Sequence, residues 1–196
     1  MRLENLELMV NGINYLNNIN YQFTYEKIYC LFGDTSVNVF LRVLCGIIKE
    51  TTGQIIKEKD EVLNFFLNDM DFIFDFTVLE TIQDISLKSL DKTKVSDFLV
   101  RLNMLDVSNF KLSKCSKEII KKLGILCTLV NDNKLILIED IFKDLSPSAI
   151  DRVNDLFFYL KSQGYIIILT GRNKEDFDYF ADNVLRIEKG NLYEVF

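Results

Sequence analysis

Hydrophobic and polar positions change period along this chain, and the changes mark its elements. "RLENLELMV" and "INYQFTY" alternate, so each predicts a strand with one face turned inward. "IYCLFG" is a short apolar run ending in glycine, as a buried strand feeding a loop would be. Helical spacing follows in "VNVFLRVLCGII", with Val39, Leu41, Val43 and Leu44 among its apolar positions. "TTGQIIKE" and "EVLNFFLN" are strand-like again. From Thr77 to about Leu129 the spacing is helical, and "TVLETIQDISLKSL", "KTKVSDFLVRLNML" and "SKEIIKKLGILCTLV" predict consecutive helices. The last third returns to alternation of element types. "KLILIED" and "YIIILT" predict buried strands, and the helix between them has Ser146 as N-cap, Pro147 at its first position and Gly164 as its stop. "NKEDFDYFADN" predicts a short helix, and "VLRIEKGNLYEVF" two strands around a Lys-Gly-Asn turn.

Helices inserted within an α/β chain predict a lobe beside a main sheet, with right-handed crossovers joining parallel strands. No Ser- or Gly-rich linker divides the 196 residues. They predict one domain over 1–196, with a helical lobe over 77–129.

Charge and composition remove several classes of function. Lys and Arg total 23 against 29 Asp and Glu, a formal charge of −6, so nucleic acid is not an expected partner. The apolar runs are too short for a bilayer, and "MRLENLELMV" lacks the apolar core of a signal peptide, so the expected location is the cytosol. Cys30, Cys45, Cys115 and Cys127 stand apart in apolar surroundings, which predicts buried free thiols and no metal site. There is no histidine, hence no Ser-His or Cys-His pair and no imidazole base.

"LFGDTSVNVFLRVLCG" has the order of a phosphate-binding loop, in which a strand ends at glycine, a short polar turn follows and a helix departs. It contains no lysine. Its flank "LRVLCGIIKETTGQI" resembles the "LLRLLAGLIKPTSGEI" pattern of ABC transporter ATPase subunits, and the order of elements over nearly the whole chain is similar to that family. The resemblance implies a P-loop NTPase-like α/β fold with an antiparallel β subdomain, a parallel core sheet and an inserted helical lobe. Family loops follow G-x-x-x-x-G-K-S/T, with backbone N–H groups and Lys on the phosphates and the hydroxyl on magnesium. Here the spacing is two residues short. Anchored on Gly33, the lysine position is Val39 and the hydroxyl position Phe40; anchored on Gly46, they are Val37 and Asn38.

The same resemblance assigns the remaining positions. Gly33, Asp34, Thr35, Ser36, Val37, Asn38 and Val39 are the vestigial loop. Asn68 stands where the family has the Q-loop glutamine, and Thr77, Val78 and Glu80 match the start of the helical lobe. Ser116, Lys117 and Glu118 fall on the signature, with Glu118 on a glycine that approaches the partner's γ-phosphate. A second register, beginning at "LSKCS", puts Lys114 and Cys115 in place of the glycines. Glu139 replaces the Walker B aspartate and Asp140 the catalytic glutamate; Ser146 replaces the D-loop aspartate and Gly171 the switch histidine. Asn11 before Gly12 takes the place of the adenine-stacking aromatic, with Tyr15 as the nearest substitute.

These departures predict a degenerate subunit that does not hydrolyse ATP, a pseudoenzyme with no expected cofactor. In the sequence reading the formal charges near the loop are Asp34, Glu139 and Asp140, all repulsive to a triphosphate. The implied partner is an integral membrane permease, met at the inner face of the cell membrane, with an active ABC ATPase as heterodimer partner or a second copy of the chain. In "NDMDFIFDF", Met70, Phe72, Phe74 and Phe76 form one alternating set with Asp71 and Asp75 between, apart from Ile73, and, if extended and exposed, form the contact with that permease. One alternative is a divergent, active subunit that binds Mg-ATP and drives export. Another is a soluble regulator detached from transport.

Overall fold

The computed structural model describes residues 1–59, 61–86, 91–177 and 179–195. The strands are β1 (Arg2–Val10), β2 (Ile13–Gln22), β3 (Lys27–Gly33), β4 (Thr52–Ile56), β5 (Leu63–Phe66), β6 (Leu135–Ile138), β7 (Ile166–Thr170), β8 (Asn183–Glu188) and β9 (Asn191–Glu194). The α-helices are α1 (Ser36–Leu44), α2 (Val78–Ile85), α3 (Lys92–Arg101), α4 (Lys117–Cys127) and α5 (Pro147–Ser162). β2-β1-β4 form an antiparallel sheet; β5-β6-β7-β3-β8-β9 form the main sheet, parallel except for the β8–β9 hairpin.

Every residue of β6 and β7 is buried, as a parallel strand covered on both faces requires. Successive residues serve opposite cores. Ile136, Ile138, Ile167 and Leu169 face the helices α2–α5, whereas Leu135, Leu137, Ile166 and Ile168 face α1 and the antiparallel sheet. α1 inserts Val37, Phe40, Leu41, Val43 and Leu44 into the second core. Each such side chain contributes about 1.5–3 kcal/mol on burial. The carboxyl ends of β3, β6 and β7 therefore open beside the N-terminus of α1, which is where sheets of this class hold ligands.

α5 begins as its sequence predicts, with Ser146 as N-cap and Pro147 in the first turn, and Gly164 follows it at φ 83°. Three expectations need correction. "NKEDFDYFADN" makes only a 3-10 turn over Lys174–Asp176, because the ring of Phe177 is drawn into the core; residue 178 lies outside the described residues. α2 stops at Ile85, and residues 87–90 of the helix expected there lie outside the described residues. Only Cys30 is fully buried. Cys45, Cys115 and Cys127 are half-buried, all four are free, and burial pushes the thiols of Cys45 and Cys127 up to about 12. Among the described residues, no helix is long and apolar enough to cross a membrane.

Candidate functional site

Gly33 closes β3 in register with Ile187 of β8, and a Cβ there would lie 1.8 Å from the Ile187 carbonyl oxygen. The sheet alone demands this glycine. Asp34 follows, and its carboxylate is fully engaged: Oδ1 accepts from the Ser36 N–H at 2.8 Å and Oδ2 from the Lys189 N–H at 2.8 Å. The Lys189 N–H is the chief cause that holds this carboxyl below its usual range. Gly190 N–H donates to Ser36 Oγ at 3.2 Å, and Val37 N–H to the Asp34 carbonyl at 3.1 Å. The first turn of α1 is thus stitched to the β8–β9 turn by its own chain. A helix start that binds phosphate leaves such N–H groups free for the ligand. Val37 is buried, Val39 half-buried and Phe40 fully buried, so both registers put an apolar core or rim residue at the lysine position.

A groove of about 460 Å³ runs past this loop, lined by Thr35, Asn38, Asn68, Glu139, Asp140 and Arg172 among others. On its floor Glu139 is buried; its Oε2 accepts from the Asn68 N–H at 2.7 Å, and its Oε1 stands 3.8 Å from Arg42 Nη1. Asp140 takes φ 46°, a left-handed conformation that Asp tolerates, and its N–H donates to Thr170 Oγ1 at 2.8 Å. Its carboxylate lies 3.8 Å from Arg172. Lys121 of α4 donates to the Glu139 carbonyl at 2.6 Å. The expectation that the charges here are all negative is therefore corrected: Arg42, Lys121 and Arg172 stand among the acids. Sequence reasoning missed them because they come from the helix bodies and the loop after β7. For Arg42 and Lys121 the signal was present, since both interrupt apolar helical runs.

Ser116 caps α4, its Oγ accepting from the Ile119 N–H at 3.3 Å, and Lys117 opens the helix. Glu118 is already neutralised. Its Oε1 accepts from Lys122 Nζ at 2.8 Å and its Oε2 from the Ser146 N–H at 3.0 Å, which ties the signature position to the D-loop position. Lys122, first among these contacts, holds the Glu118 carboxyl down at about 2.

Gly171 has no room for any side chain, because a Cβ would meet Phe177 Cζ at 2.5 Å. Phe177 is fully buried and packs with Phe142 and Phe180. The position expected for the switch residue is thus filled by a neighbour's ring. Asn11 and Gly12, both at positive φ, form the β1–β2 turn, and Tyr15 lies on β2 with its carbonyl beside Gly190. The segment after Asn68 is not an extended strand. Phe76 N–H bonds back to the Ile73 carbonyl, and Phe72 stacks on Phe66 with centroids 5.9 Å apart. Met70, Ile73 and Phe74 are the exposed apolar residues there, which removes the half-buried Phe72 and Phe76 from the expected set and adds Ile73. Among the described residues, no group of three or more Cys, Asp or Glu side chains is arranged to hold a metal ion.

No family model matches the chain. It is 24% identical over 206 residues to the lantibiotic transport ATP-binding protein SrtF of Streptococcus pyogenes, covering 98% of this chain and 88% of that one. It is 25% identical over 202 residues to the ABC transporter ATP-binding protein YybJ of Bacillus subtilis, covering 96% and 92%. Among solved structures, the ATP-binding subunit of an ABC transporter superposes with a TM-score of 0.86 at 14% identity, over 99% of this chain and 89% of that one. A dimeric bacterial ABC transporter cassette gives 0.84 at 14% identity, over 100% and 98%. The expected fold class, with its antiparallel β subdomain and parallel core sheet, is the fold observed.

Proposed function

We infer that this chain, an ABC transporter ATP-binding subunit by its fold and its sequence likeness, serves its transport complex as a non-hydrolysing structural or regulatory subunit. The observation that carries this reading is the carboxylate of Asp34, held between the Ser36 N–H beyond β3 and the Lys189 N–H of the β8–β9 turn, in a loop without a cation. A carboxylate held there repels an incoming phosphate and occupies donors that the phosphate would use. The filled position at Gly171 points the same way, since the residue that follows β7 offers the groove no side chain. The partner under this reading is a membrane permease at the cytoplasmic face, with an active ATPase or a second copy of this chain opposite. Met70, Ile73 and Phe74 are the exposed apolar residues suited to that contact.

A second reading keeps ATP turnover. It is favoured by the likeness to SrtF and by Arg172, whose cation lines the groove. Affinity purification from membranes followed by an ATPase assay separates the two, by the turnover and not by the permease recovered. The first reading expects the chain to bring down a permease and expects Phe74→Ser, which leaves the Phe72–Phe66 stack intact, to lower that yield at least about fivefold. It also expects the complex to show no ATPase activity assignable to this chain. Turnover by the chain alone would support the second reading.

A further inference from the structure

The carboxyl ends of β6 and β7 open on the groove, and a second concavity lies at their amino ends, where Lys134 leads into β6 and Tyr165 into β7. Its volume is about 420 Å³, within the range of small-molecule sites. Phe98 of α3, Leu160 of α5 and Tyr165 form a buried apolar floor, and half-buried Tyr159 extends it toward solvent. None of these residues lines the groove beside Asp34.

The polar groups around this floor are unevenly engaged. Asp91, the N-cap of α3, accepts through Oδ1 from the N–H groups of Thr93 and Lys94, and Asp97 Oδ2 accepts from Arg101 Nε at 2.7 Å. Both acids are thus bound to their own helix. Lys134 differs. Its Nζ donates to the Gln163 carbonyl at 2.7 Å, a neutral acceptor, and among the described residues it meets no carboxylate. An ammonium has three donors, so Lys134 keeps both charge and donors in hand. Lys94 Nζ bonds the exposed Asp132 at 2.9 Å and stands 5.9 Å from the centroid of the Phe98 ring, which sets a second cation at the edge of the floor.

Tyr165 supplies the remaining group. It is only 6% exposed, its N–H donates to the Leu160 carbonyl at 3.2 Å, and its own carbonyl accepts from the Glu26 N–H at 3.0 Å. Its hydroxyl, in contrast, has no hydrogen-bond partner among the described residues, whereas a buried phenol ordinarily has one. Burial pushes this phenol up against the pull of Lys94, so at neutral pH it keeps its proton and can donate. The Ile166 N–H bonds to the Lys134 carbonyl at 2.7 Å, so Lys134 and Tyr165 enter adjacent strands side by side.

We propose that this cavity binds a small aromatic carboxylate, with the ring against Phe98, Leu160 and Tyr159 and the carboxylate taken by Lys134 and the Tyr165 hydroxyl. An anion satisfies the lysine and the buried donor together, and a flat ring covers the apolar floor. An aliphatic acid would forgo the ring contacts, and an amine would face two cations. The site is independent of the reading of the groove, which lies at the opposite ends of the same strands.

The full chain, labelled with ¹⁵N, is titrated with 2-naphthoate, with the neutral 2-naphthylmethanol and with 2-naphthylmethylamine, and amide shifts are followed by NMR. 2-Naphthoate is expected to bind with a Kd below about 1 mM, as suits roughly a dozen non-hydrogen atoms, and to move the amides of α3 and of residues 159–165. The alcohol should bind at least about tenfold more weakly, and the amine more weakly still. Lys134→Gln should weaken 2-naphthoate at least about fivefold, and Tyr165→Phe, which removes a single oxygen, at least about threefold. No saturable shift below about 1 mM would overturn the proposal. So would shifts centred on Asp34 and Gly171, equal affinity for acid and alcohol, or unchanged affinity in either folded variant. Should a variant fail to fold, the comparison of acid with alcohol on the wild type decides. Mg-ATP titration of the same preparation reports on the functional reading alone, so either idea can fail without the other.

Discussion

Strand β7 is buried at every position from Ile166 to Thr170, whereas the next residue, Gly171, has no side chain and a phenyl ring where one would go. The same contrast holds between α1, whose inner face fills the second core, and the loop before it, where Asp34 is bonded to its own backbone surroundings. Strand and helix bodies are specified by burial summed over many residues, so chains of low identity keep one scaffold. Loop chemistry is specified by single atoms. A scaffold can therefore persist while the groups at its strand ends turn inward and bond to one another.

Substitutions in the two regions test this contrast. The largest effect is expected from Gly33→Ala, where scaffold and loop meet. Its Cβ would overlap the Ile187 carbonyl, at φ 148° for the glycine, and the loss should be roughly 3–5 kcal/mol by denaturant unfolding. A loss under about 1 kcal/mol would mean that the loop, not the sheet, retains this glycine. Gly171→His comes next, since it puts an imidazole at the position expected for the switch residue but collides with Phe177. It should cost about 1–3 kcal/mol. In combination with Phe177→Ala the two losses should fall short of their sum by at least about 1 kcal/mol, because the smaller residue makes the room the larger one needs. Strict additivity would separate the two sites.

The smallest effect concerns acid. Glu118 is held down at about 2 by Lys122 and Ser146, against a usual value of 4.5, so the folded state binds its proton less readily than the unfolded one. The stabilisation is present above about 4.5 and is lost as pH falls toward 2. Melting temperatures measured across that window should show a shallower decline for Glu118→Gln than for the wild type.

Much of this architecture was legible from the chain. Alternation in "RLENLELMV", the apolar runs "LILI" and "IIILT", and the Ser146-Pro147 start of α5 follow from periodicity and capping, which act locally. The groove was legible only in part. Absence of lysine and histidine is visible by inspection, and the resemblance to ABC ATPase subunits is what singles out Asn68, Glu139 and Gly171. What spacing could not give was where charges from other elements arrive. Arg172 lines the groove from the loop after β7, Arg42 and Lys121 meet Glu139 from α1 and α4, and Glu118 finds Lys122 one helical turn away. Burial of Phe177 in the space beside Gly171, and not local propensity, leaves a single tight turn after Asn173 rather than a helix.

The most direct test is isothermal titration of the purified chain with Mg-ATP. The account predicts no saturable heat up to about 1 mM nucleotide, since the loop offers no cation and its Ser36 and Val37 N–H groups are bonded to Asp34. A saturable isotherm with a micromolar Kd would contradict it.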